Sequence, residues 1–336
     1  MKIKDYFTPK SMIYTGQHDT VKTKITHYHY DKGTFETTDT FKPKAGLKHY
    51  IQVVGLGDIK KIQALKEHYP VEDIILEDVF NVKQRNKIEV RNGYLFAVFH
   101  SDYLVEGEIQ EDYLSLLLFQ DTLISFHEKE PIVLKPLNAL LEQYDELRHR
   151  SVDFIFFQLL DILTDQHLDV FEHLEIMSSR FEEDILENKN LDQEAFYIIR
   201  KYLLKLKNNI SPTLEHLDKS LAKPQGLIQK DNLDYFDDLR DHLIRLDNHL
   251  NQSRELMRHL LDLHINNQSN KMNRIMTTLT LFSAIFIPLS FLTVFFGMNF
   301  VHFEILEYEH SLAIFIGLCM LLAGFMFLLF KKMKWF

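Results

Sequence analysis

Two long uncharged runs near the C-terminal end limit what this chain can fold into more than any other feature. Residues 275–296 contain no charged side chain, and residues 311–330 contain none either. Each run has about the 20 residues that an α-helix needs to cross the hydrocarbon core of a bilayer. Two buried core helices are the alternative, but core helices seldom lack charge over such a length. The sequence therefore predicts two transmembrane helices.

The charges that flank the two runs predict their orientation. Lys271 and Arg274 precede the first run, whereas the connecting segment carries glutamates and no Lys or Arg. The second run is followed by Lys331, Lys332 and Lys334. By the positive-inside rule both ends face the cytoplasm, and Trp335 and Phe336 would anchor at the interface. We therefore expect a multi-pass protein of the plasma membrane.

The rest of the chain predicts a cytoplasmic, water-soluble region. The N-terminal segment lacks the apolar stretch of a signal peptide. Cys319 is the single cysteine, so neither a disulfide within the chain nor a thiolate metal cluster is expected. A net charge of -10 argues against a nucleic-acid partner and suits a protein that handles cations. No phosphate loop, nucleophile elbow or His-Glu-x-x-His motif is present, so neither an enzyme, a catalytic cofactor nor an ATP-driven pump is expected.

Hydrophobic periodicity divides the soluble region into two parts. Residues 1–130 mix alternating segments with helical ones, which predicts an α/β domain. Residues 131–274 have apolar residues at helical spacing, which predicts long helices. Pro212 and the Lys-Pro-Gln-Gly cluster at 223–226 are the predicted breaks. Strands are expected within 21–40, 50–54, 94–100, 115–120 and 123–127.

The stretch 232–296 predicts one uninterrupted helix that enters the membrane directly. It has no Gly and no Pro before Pro288. Its apolar residues follow a seven-residue repeat with one polar interruption at Ser253: Leu239, Leu243, Leu246, Leu250, Met257 and Leu260. At ~1.5 Å per residue such a helix is roughly 95 Å long. An extracytoplasmic loop at 297–310 and a basic tail at 331–336 complete the predicted organisation.

A stripe of polar, small and apolar residues on the first span predicts an oligomer. Two helices cannot enclose a water-filled path, and a polar stripe facing lipid is costly. The second span has almost no polar residue besides Ser311 and Cys319. We expect the first span to line the axis of a cyclic oligomer, although small residues also pack helices together. The stripe comprises Asn273, Met276, Leu279, Ser283, Ile287, Ser290 and Gly297.

The end of the first span carries a recognisable motif. The sequence Gly297-Met298-Asn299 resembles the signature of the CorA family of magnesium transporters. The preceding run matches that family in type and spacing through Asn270-Lys271-Met272-Asn273, Leu279-Thr280, Pro288 and Phe291, with Thr277 where the family usually has Lys. Upstream, Leu76-Glu77-Asp78-Val79-Phe80-Asn81, followed by Gln84-Arg85 and Lys87, is similar to a second family segment. The resemblance extends from about residue 48 onward.

The resemblance implies a funnel-shaped homopentamer that transports magnesium. Asn299 would form a ring that accepts hydrogen bonds from the water shell of Mg²⁺, which sheds its water reluctantly. The carbonyls of Gly297 and Met298 could add to this filter. Asn273 would line the inner pore, with Met276, Leu279 and Ile287 as hydrophobic constrictions. Without the resemblance, Gly297 and Asn299 simply end a helix.

Two carboxylates correspond to a regulatory site of the family. Asp78 lies in the matching upstream segment, and Asp238 falls at the family's position when counted back from Asn273. The resemblance implies that Mg²⁺ binds between such residues of neighbouring subunits and closes the pore, because close carboxylates repel unless a cation bridges them. The alternative is a solvated helix face formed by Asp237, Asp238 and Asp241.

Departures from the family pattern leave the ion open. The Met-Pro-Glu that often follows the motif is absent, although Glu304, Glu307 and Glu309 keep the loop acidic and should attract cations. The 17 histidines favour zinc as an alternative ion. However, His27 and His29 on one strand face, and His242 and His249 on the long helix, give no three-ligand or four-ligand spacing. A zinc, cobalt or nickel transporter and a membrane-tethered cation sensor or scaffold remain the alternatives.

Overall fold

The computed structural model describes residues 12–187, 189, 191–222, 226–298 and 309–333. These residues form two compact units, of which the first ends at Arg258 and the second begins at His259, with Glu187 and Lys189 grouped with the second. The first unit combines a sheet with long helices, and the second contains two helices long and apolar enough to cross a membrane. The predicted fold class is therefore confirmed.

The first unit is built on a seven-stranded mixed sheet in the order β2-β1-β3-β7-β6-β5-β4. Neighbouring strands are antiparallel except β3 and β7, which are parallel. Every predicted strand region overlaps a strand of this sheet, β6 begins seven residues before its predicted start, and the edge strand β4 is an addition. The strands are Lys24–Tyr30 (β1), Phe35–Thr38 (β2), Lys48–Val54 (β3), Lys87–Arg91 (β4), Tyr94–Val105 (β5), Glu108–Leu118 (β6) and Thr122–His127 (β7).

Both faces of the sheet are covered by helices. On one face, residues such as Ile51, Phe96 and Ile124 join a core with the short helices α1 and α2. On β5 the alternate residues Leu95 and Phe99 are also buried, because α5 packs on the opposite face. The helices are Ile59–Gln63 (α1), Asp73–Phe80 (α2), Lys135–Gln143 (α3), Asp145–His149 (α4), Val152–Leu186 (α5), Gln193–Ala222 (α6), Leu233–Phe296 (α7) and Ser311–Lys332 (α8).

A buried charge joins the sheet to α6. Asp102 of β5 is fully buried, and its carboxylate accepts hydrogen bonds from Lys205 Nζ at 2.6 Å and Asn209 Nδ2 at 2.8 Å. Burying a carboxylate costs several kcal/mol unless a cation and hydrogen bonds replace its water. This pair therefore fixes how α6 lies on the sheet.

Lys205→Met should lower the free energy of unfolding by about 3–5 kcal/mol, because Asp102 would stay buried without its cation. Thermal unfolding of the full chain in detergent measures the loss. Lys219→Met is the matched control, since its ion pair with Glu215 is exposed on both sides and contributes little. Equal unfolding temperatures for the two variants would contradict this account.

The heptad pattern of α7 is confirmed. Leu239, Leu243, Leu246 and Leu250 are each at most 3% exposed, and Ser253 lies on the same buried face. The helix begins at Leu233 and continues to Phe296 without interruption, as the sequence predicts.

Pro212 does not break a helix, contrary to the sequence prediction. It lies inside the continuous helix α6. Proline removes one backbone hydrogen bond, but the α6 face on either side of it is anchored by buried side chains, including Leu206, Ile210 and Leu217. Tertiary packing therefore outweighs the local cost.

Candidate ion-conduction site

The two apolar helices do not form a buried protein core. Within the most apolar 18-residue windows, only 6% of the α7 residues and 0% of the α8 residues are buried. Such exposure excludes the core-helix alternative and fits helices whose surroundings are lipid or other copies of the chain. The second unit thus has the helix length, composition and exposure of a membrane-spanning unit, and it is called the membrane-spanning unit below.

One face of the α7 span packs on α8. Leu281 is 7% exposed, and Ile285, Leu292 and Phe296 are half-buried; steps of four, seven and four residues keep all four on one side of the helix. The Phe296 ring lies 5.3 Å from the Phe315 ring of α8, centroid to centroid. This defines the α8-facing side of α7.

Most of the predicted pore stripe lies away from the α8-facing side of α7. At about 100° per residue, Ser283 lies roughly 180–200° and Ile287 roughly 120–140° around the helix from Leu281 and Leu292, whereas Asn273 lies only about 80° from Leu281. Ile287 is 68% exposed in the single chain, and Ser283 is half-buried. The remaining described members of the stripe are all exposed: Asn273, Met276, Leu279, Ser290 and Gly297.

Threonines along α7 have hydrogen-bond partners within the helix itself. The hydroxyls of Thr278, Thr280 and Thr293 each donate to the carbonyl four residues earlier, at 2.8 to 2.9 Å. Inside a bilayer such internal bonding removes the cost of an unsatisfied hydroxyl. These threonines can therefore face any surroundings without marking a water-filled path.

The helix ends where the signature motif begins. The backbone N–H of Gly297 donates to the carbonyl of Thr293 at 3.1 Å, and that of Met298 donates to Phe295 at 3.3 Å. Gly297 therefore does close the helix, and Met298 follows it with 49% exposure. Asn299, Glu304 and Glu307 lie outside the described residues, whereas Glu309 is described and exposed.

Asp78 has a cationic partner in the single chain. It lies in the last turn of α2, and its Oδ2 accepts a hydrogen bond from Lys87 Nζ at 2.6 Å. The side chain is 25% exposed, so it remains accessible from outside. Lys87 Nζ also bonds Glu89 Oε1 at 2.9 Å, so one ammonium group is shared by two carboxylates.

Asp238 lies on α7 among other acidic groups. Its side chain is 71% exposed, and its Oδ2 lies 3.7 Å from His242 Nε2. Burial raises the pKa of Asp161 on α5, and the charges of Asp165 and Asp238 raise this pKa further. Asp78 and Asp238 thus have different partners within one chain, and their pairing across subunits stays a prediction.

Sequence reasoning missed one cluster of histidines. It placed His27 and His29 on one strand face and found no third ligand, but the sheet brings His49 beside them. These are the only three or more His, Cys, Asp or Glu residues in the described part of the chain whose ligand atoms converge within 4.8 Å. The signal in the sequence was weak, because it depends on the pairing of two strands.

Comparisons with known proteins identify relatives along most of the chain. A family model described as "CorA-like Mg2+ transporter protein" matches residues 57–332. The cobalt/magnesium transport protein CorA of Thermotoga maritima is 27% identical over 340 residues, which cover 97% of this chain and 96% of that protein. The divalent cation transporter CmaX of Pseudomonas aeruginosa is 22% identical over 321 residues, covering 91% of this chain and 86% of CmaX.

A solved structure shares the fold over nearly the full length. The CorA magnesium transporter from Methanocaldococcus jannaschii superposes with a TM-score of 0.79 at 16% identity, covering 94% of this chain and all of that one. The likeness includes the α/β region and the two apolar helices.

Proposed function

The chain belongs to the CorA-like Mg²⁺ transporter family, and from that premise we propose that it forms a homopentameric pore for Mg²⁺ in the plasma membrane. It is a membrane protein and a divalent-cation transporter, not an enzyme. The observation that carries the proposal is the stripe on α7 that faces away from α8. Both termini and the first unit lie in the cytoplasm in this proposal, as the basic flanks indicate.

The stripe needs further copies of the chain around it. It contains the polar residues Asn273 and Ser290, which would be costly if they faced lipid. Cyclic symmetry places the same face of every α7 around one axis, while α8 covers the outer side. The strongly apolar surface of α8, with Leu312, Met320 and Leu321 each at least 69% exposed, suits contact with lipid.

The chemistry of the stripe suits a hydrated divalent cation. Neutral amides at Asn273 and Asn299 accept hydrogen bonds from ion-bound water without holding the ion as tightly as carboxylates. Rings of Met276, Leu279 and Ile287 between them would gate by narrowing and losing water. Transport is passive in this mechanism, because the membrane potential supplies about 2.3 kcal/mol per charge per 100 mV.

We propose that Mg²⁺ also binds at the cytoplasmic surface and closes the pore. Asp78 is partly exposed, and its partner Lys87 would keep its ion pair with Glu89 if a cation bound by a neighbouring subunit's Asp238 took its place beside Asp78. Acidic groups around Asp238 raise its attraction for cations. Because a bound ion stabilises the state that binds it, Mg²⁺ between subunits would favour the arrangement in which the subunits lie close together and the pore is closed.

The double variant Asp78→Asn, Asp238→Asn should transport normally at low Mg²⁺. In this variant Mg²⁺ should no longer protect the protein from proteolysis. Limited proteolysis across a Mg²⁺ series measures the shift in the protecting concentration. Asp169→Asn removes an exposed carboxylate of α5 and serves as the control. Unchanged protection by Mg²⁺ in the double variant would contradict a regulatory site at Asp78 and Asp238.

Uptake into proteoliposomes tests the function itself. The purified chain is reconstituted, a membrane potential is imposed, and Mg²⁺, Co²⁺ and Zn²⁺ are supplied separately. We expect Mg²⁺ to enter, with Co²⁺ as a second cargo. Zn²⁺ uptake without Mg²⁺ uptake would support a zinc transporter of the same architecture, and no uptake of any ion would support a tethered sensor.

A further inference from the structure

Strand pairing brings three histidines together at one end of the sheet. His29 of β1 lies directly opposite His49 of β3, and His27 lies two residues along β1 on the same face. Each of the three side chains is at most 3% exposed. Side chains so placed across an antiparallel pair are near neighbours, so their rings meet inside the protein.

One ring nitrogen of each histidine points at the same place. His49 Nδ1 lies 3.1 Å from His27 Nε2 and 3.0 Å from His29 Nδ1. All three ligand nitrogens lie within 4.8 Å of one another. Around a tetrahedral ion with Zn–N bonds of about 2.0–2.1 Å, neighbouring nitrogens are separated by roughly 3.4 Å. The two separations from His49 Nδ1, 3.1 and 3.0 Å, are close to that value.

The other nitrogens of the three rings are bonded to the surrounding chain. His27 Nδ1 lies 2.8 Å from the Thr40 carbonyl, and His49 Nε2 lies 3.2 Å from the Lys44 carbonyl. A carbonyl only accepts, so both of these nitrogens carry the hydrogen. His29 Nε2 lies 3.0 Å from the hydroxyl of Thr38. Such outer bonds hold metal-binding imidazoles in their tautomer and orientation.

These bonds leave the centre of the cluster short of a positive group. The inward nitrogens of neutral His27 and His49 are Nε2 and Nδ1, and each carries a lone pair and no hydrogen. They face each other without a hydrogen atom between them. His29 can donate one hydrogen to one of them, which leaves the other unpaired. Buried polar atoms without partners are costly, so the arrangement calls for a cation at the centre.

Protonation of a histidine is a poor source of that cation. Burial lowers the pKa of His27 to about 3 and that of His29 to about 4, and it also lowers the pKa of His49. All three rings are therefore neutral near pH 7, which is the form in which imidazole binds metals.

We propose that His27, His29 and His49 form a binding site for a divalent transition-metal ion, with Zn²⁺ the best match. Three imidazoles and one position left for water are a common ligand set for zinc. Mg²⁺ prefers oxygen ligands, so the transported ion of the proposed pore is not the ion for this site. The proposal concerns the first unit and does not depend on what the membrane-spanning unit carries.

The bound ion would cross-link strands near one edge of the sheet. Its ligands come from β1 and β3, and their outer bonds reach Thr38 at the end of β2 and the connection that contains Thr40 and Lys44. Metal binding would therefore hold β1, β2, β3 and this connection together. Anything that binds only the folded form stabilises it, so the first unit should unfold at a higher temperature with Zn²⁺.

Zinc titration of the full-length protein in detergent tests the site. After removal of metals with a chelator, we expect one tightly bound Zn²⁺ per chain by calorimetry and elemental analysis, and no displacement by excess Mg²⁺. Co²⁺ should give the visible absorption of a tetrahedral nitrogen-bound ion. Loss of an outer-shell partner alone weakens metal sites about 10–100-fold, so loss of a ligand should weaken this one at least as much.

Two substitutions remove a ligand while preserving the outer bonds. In His49→Gln the amide reaches the position of Nε2 and still donates to Lys44, and in His27→Asn the amide reaches the position of Nδ1 and still donates to Thr40. Both should abolish the tight Zn²⁺ and the Co²⁺ spectrum. His68→Gln changes an exposed histidine of the same unit and should change neither.

The proposal would be overturned by wild-type protein that takes up no stoichiometric Zn²⁺ and shows no tetrahedral Co²⁺ spectrum, whatever the variants do. It would also be overturned if folded His27→Asn and His49→Gln keep wild-type affinity, because the ion would then bind elsewhere. Circular dichroism and gel filtration establish that the variants are folded.

Discussion

Proteoliposomes with Asn299→Ala should take up Mg²⁺ at least about ten-fold more slowly than wild type, equivalent to ~1.4 kcal/mol in the barrier. In the proposed pentamer, each substitution removes one amide from every subunit around the mouth. The hydrated ion would lose a whole ring of hydrogen-bond acceptors at the point where it leaves bulk water. Initial rates at several Mg²⁺ concentrations measure the loss.

The side chain that replaces Asn299 separates this mechanism from others. Asn299→Gln keeps the amide and should retain part of the uptake, whereas Asn299→Asp should bind the ion more tightly and release it more slowly. Asn251→Ala removes an exposed amide from the first unit and is the matched control. Wild-type rates in Asn299→Ala would show that the amide of Asn299 has no role in transport and would contradict the proposed filter.

Features that depend on local spacing were predictable from the sequence. The uninterrupted helix α7 follows from a long stretch without Gly or early Pro, and its buried leucines follow from the heptad repeat. The two apolar helices follow from length and lack of charge alone. The residues that share the stripe face of the first span could also be identified from the sequence, because helical geometry fixes which residues lie on one side.

Features that depend on long-range pairing were not predictable. His29 and His49 are 20 residues apart, and only the antiparallel register of β1 and β3 places them opposite each other. A shift of one residue would have turned His49 to the other face of the sheet. The bond between Asp102 and Lys205 joins residues 103 positions apart and has no local signature.

Pro212 is a local sequence signal that tertiary packing overrides. Its sequence signal favours a break, and the structure keeps the helix. The reason is the number of buried contacts that α6 makes along its length, which a single missing hydrogen bond does not offset. Pro288 in the α7 span is tolerated in the same way, but there the helix has few protein contacts on the stripe side.

Leu279→Asn should open the pore under conditions that close it in wild type. A closed hydrophobic ring blocks ions because water leaves the narrow apolar segment, and an amide at every subunit would let water stay. At Mg²⁺ concentrations that close the wild-type pore, we expect Mg²⁺ flux to rise by about ten-fold or more, which corresponds to a barrier lowered by at least ~1.4 kcal/mol. The measurement is uptake into proteoliposomes with high Mg²⁺ on the side of the first unit.

A second asparagine placed outside the stripe distinguishes gating from general damage. Leu321→Asn adds the same polar group to α8, where the side chain is 70% exposed, and should raise flux little. If both variants leak equally, the added polarity disturbs the membrane helices as a whole. If neither leaks, the narrowest apolar ring lies elsewhere on the stripe, and Met276→Asn and Ile287→Asn identify it by the same measurement. A gate formed by the stripe requires at least one of the three variants to conduct when wild type is closed, because in the proposed pore these are the only apolar rings of the stripe between Asn273 and the outer mouth.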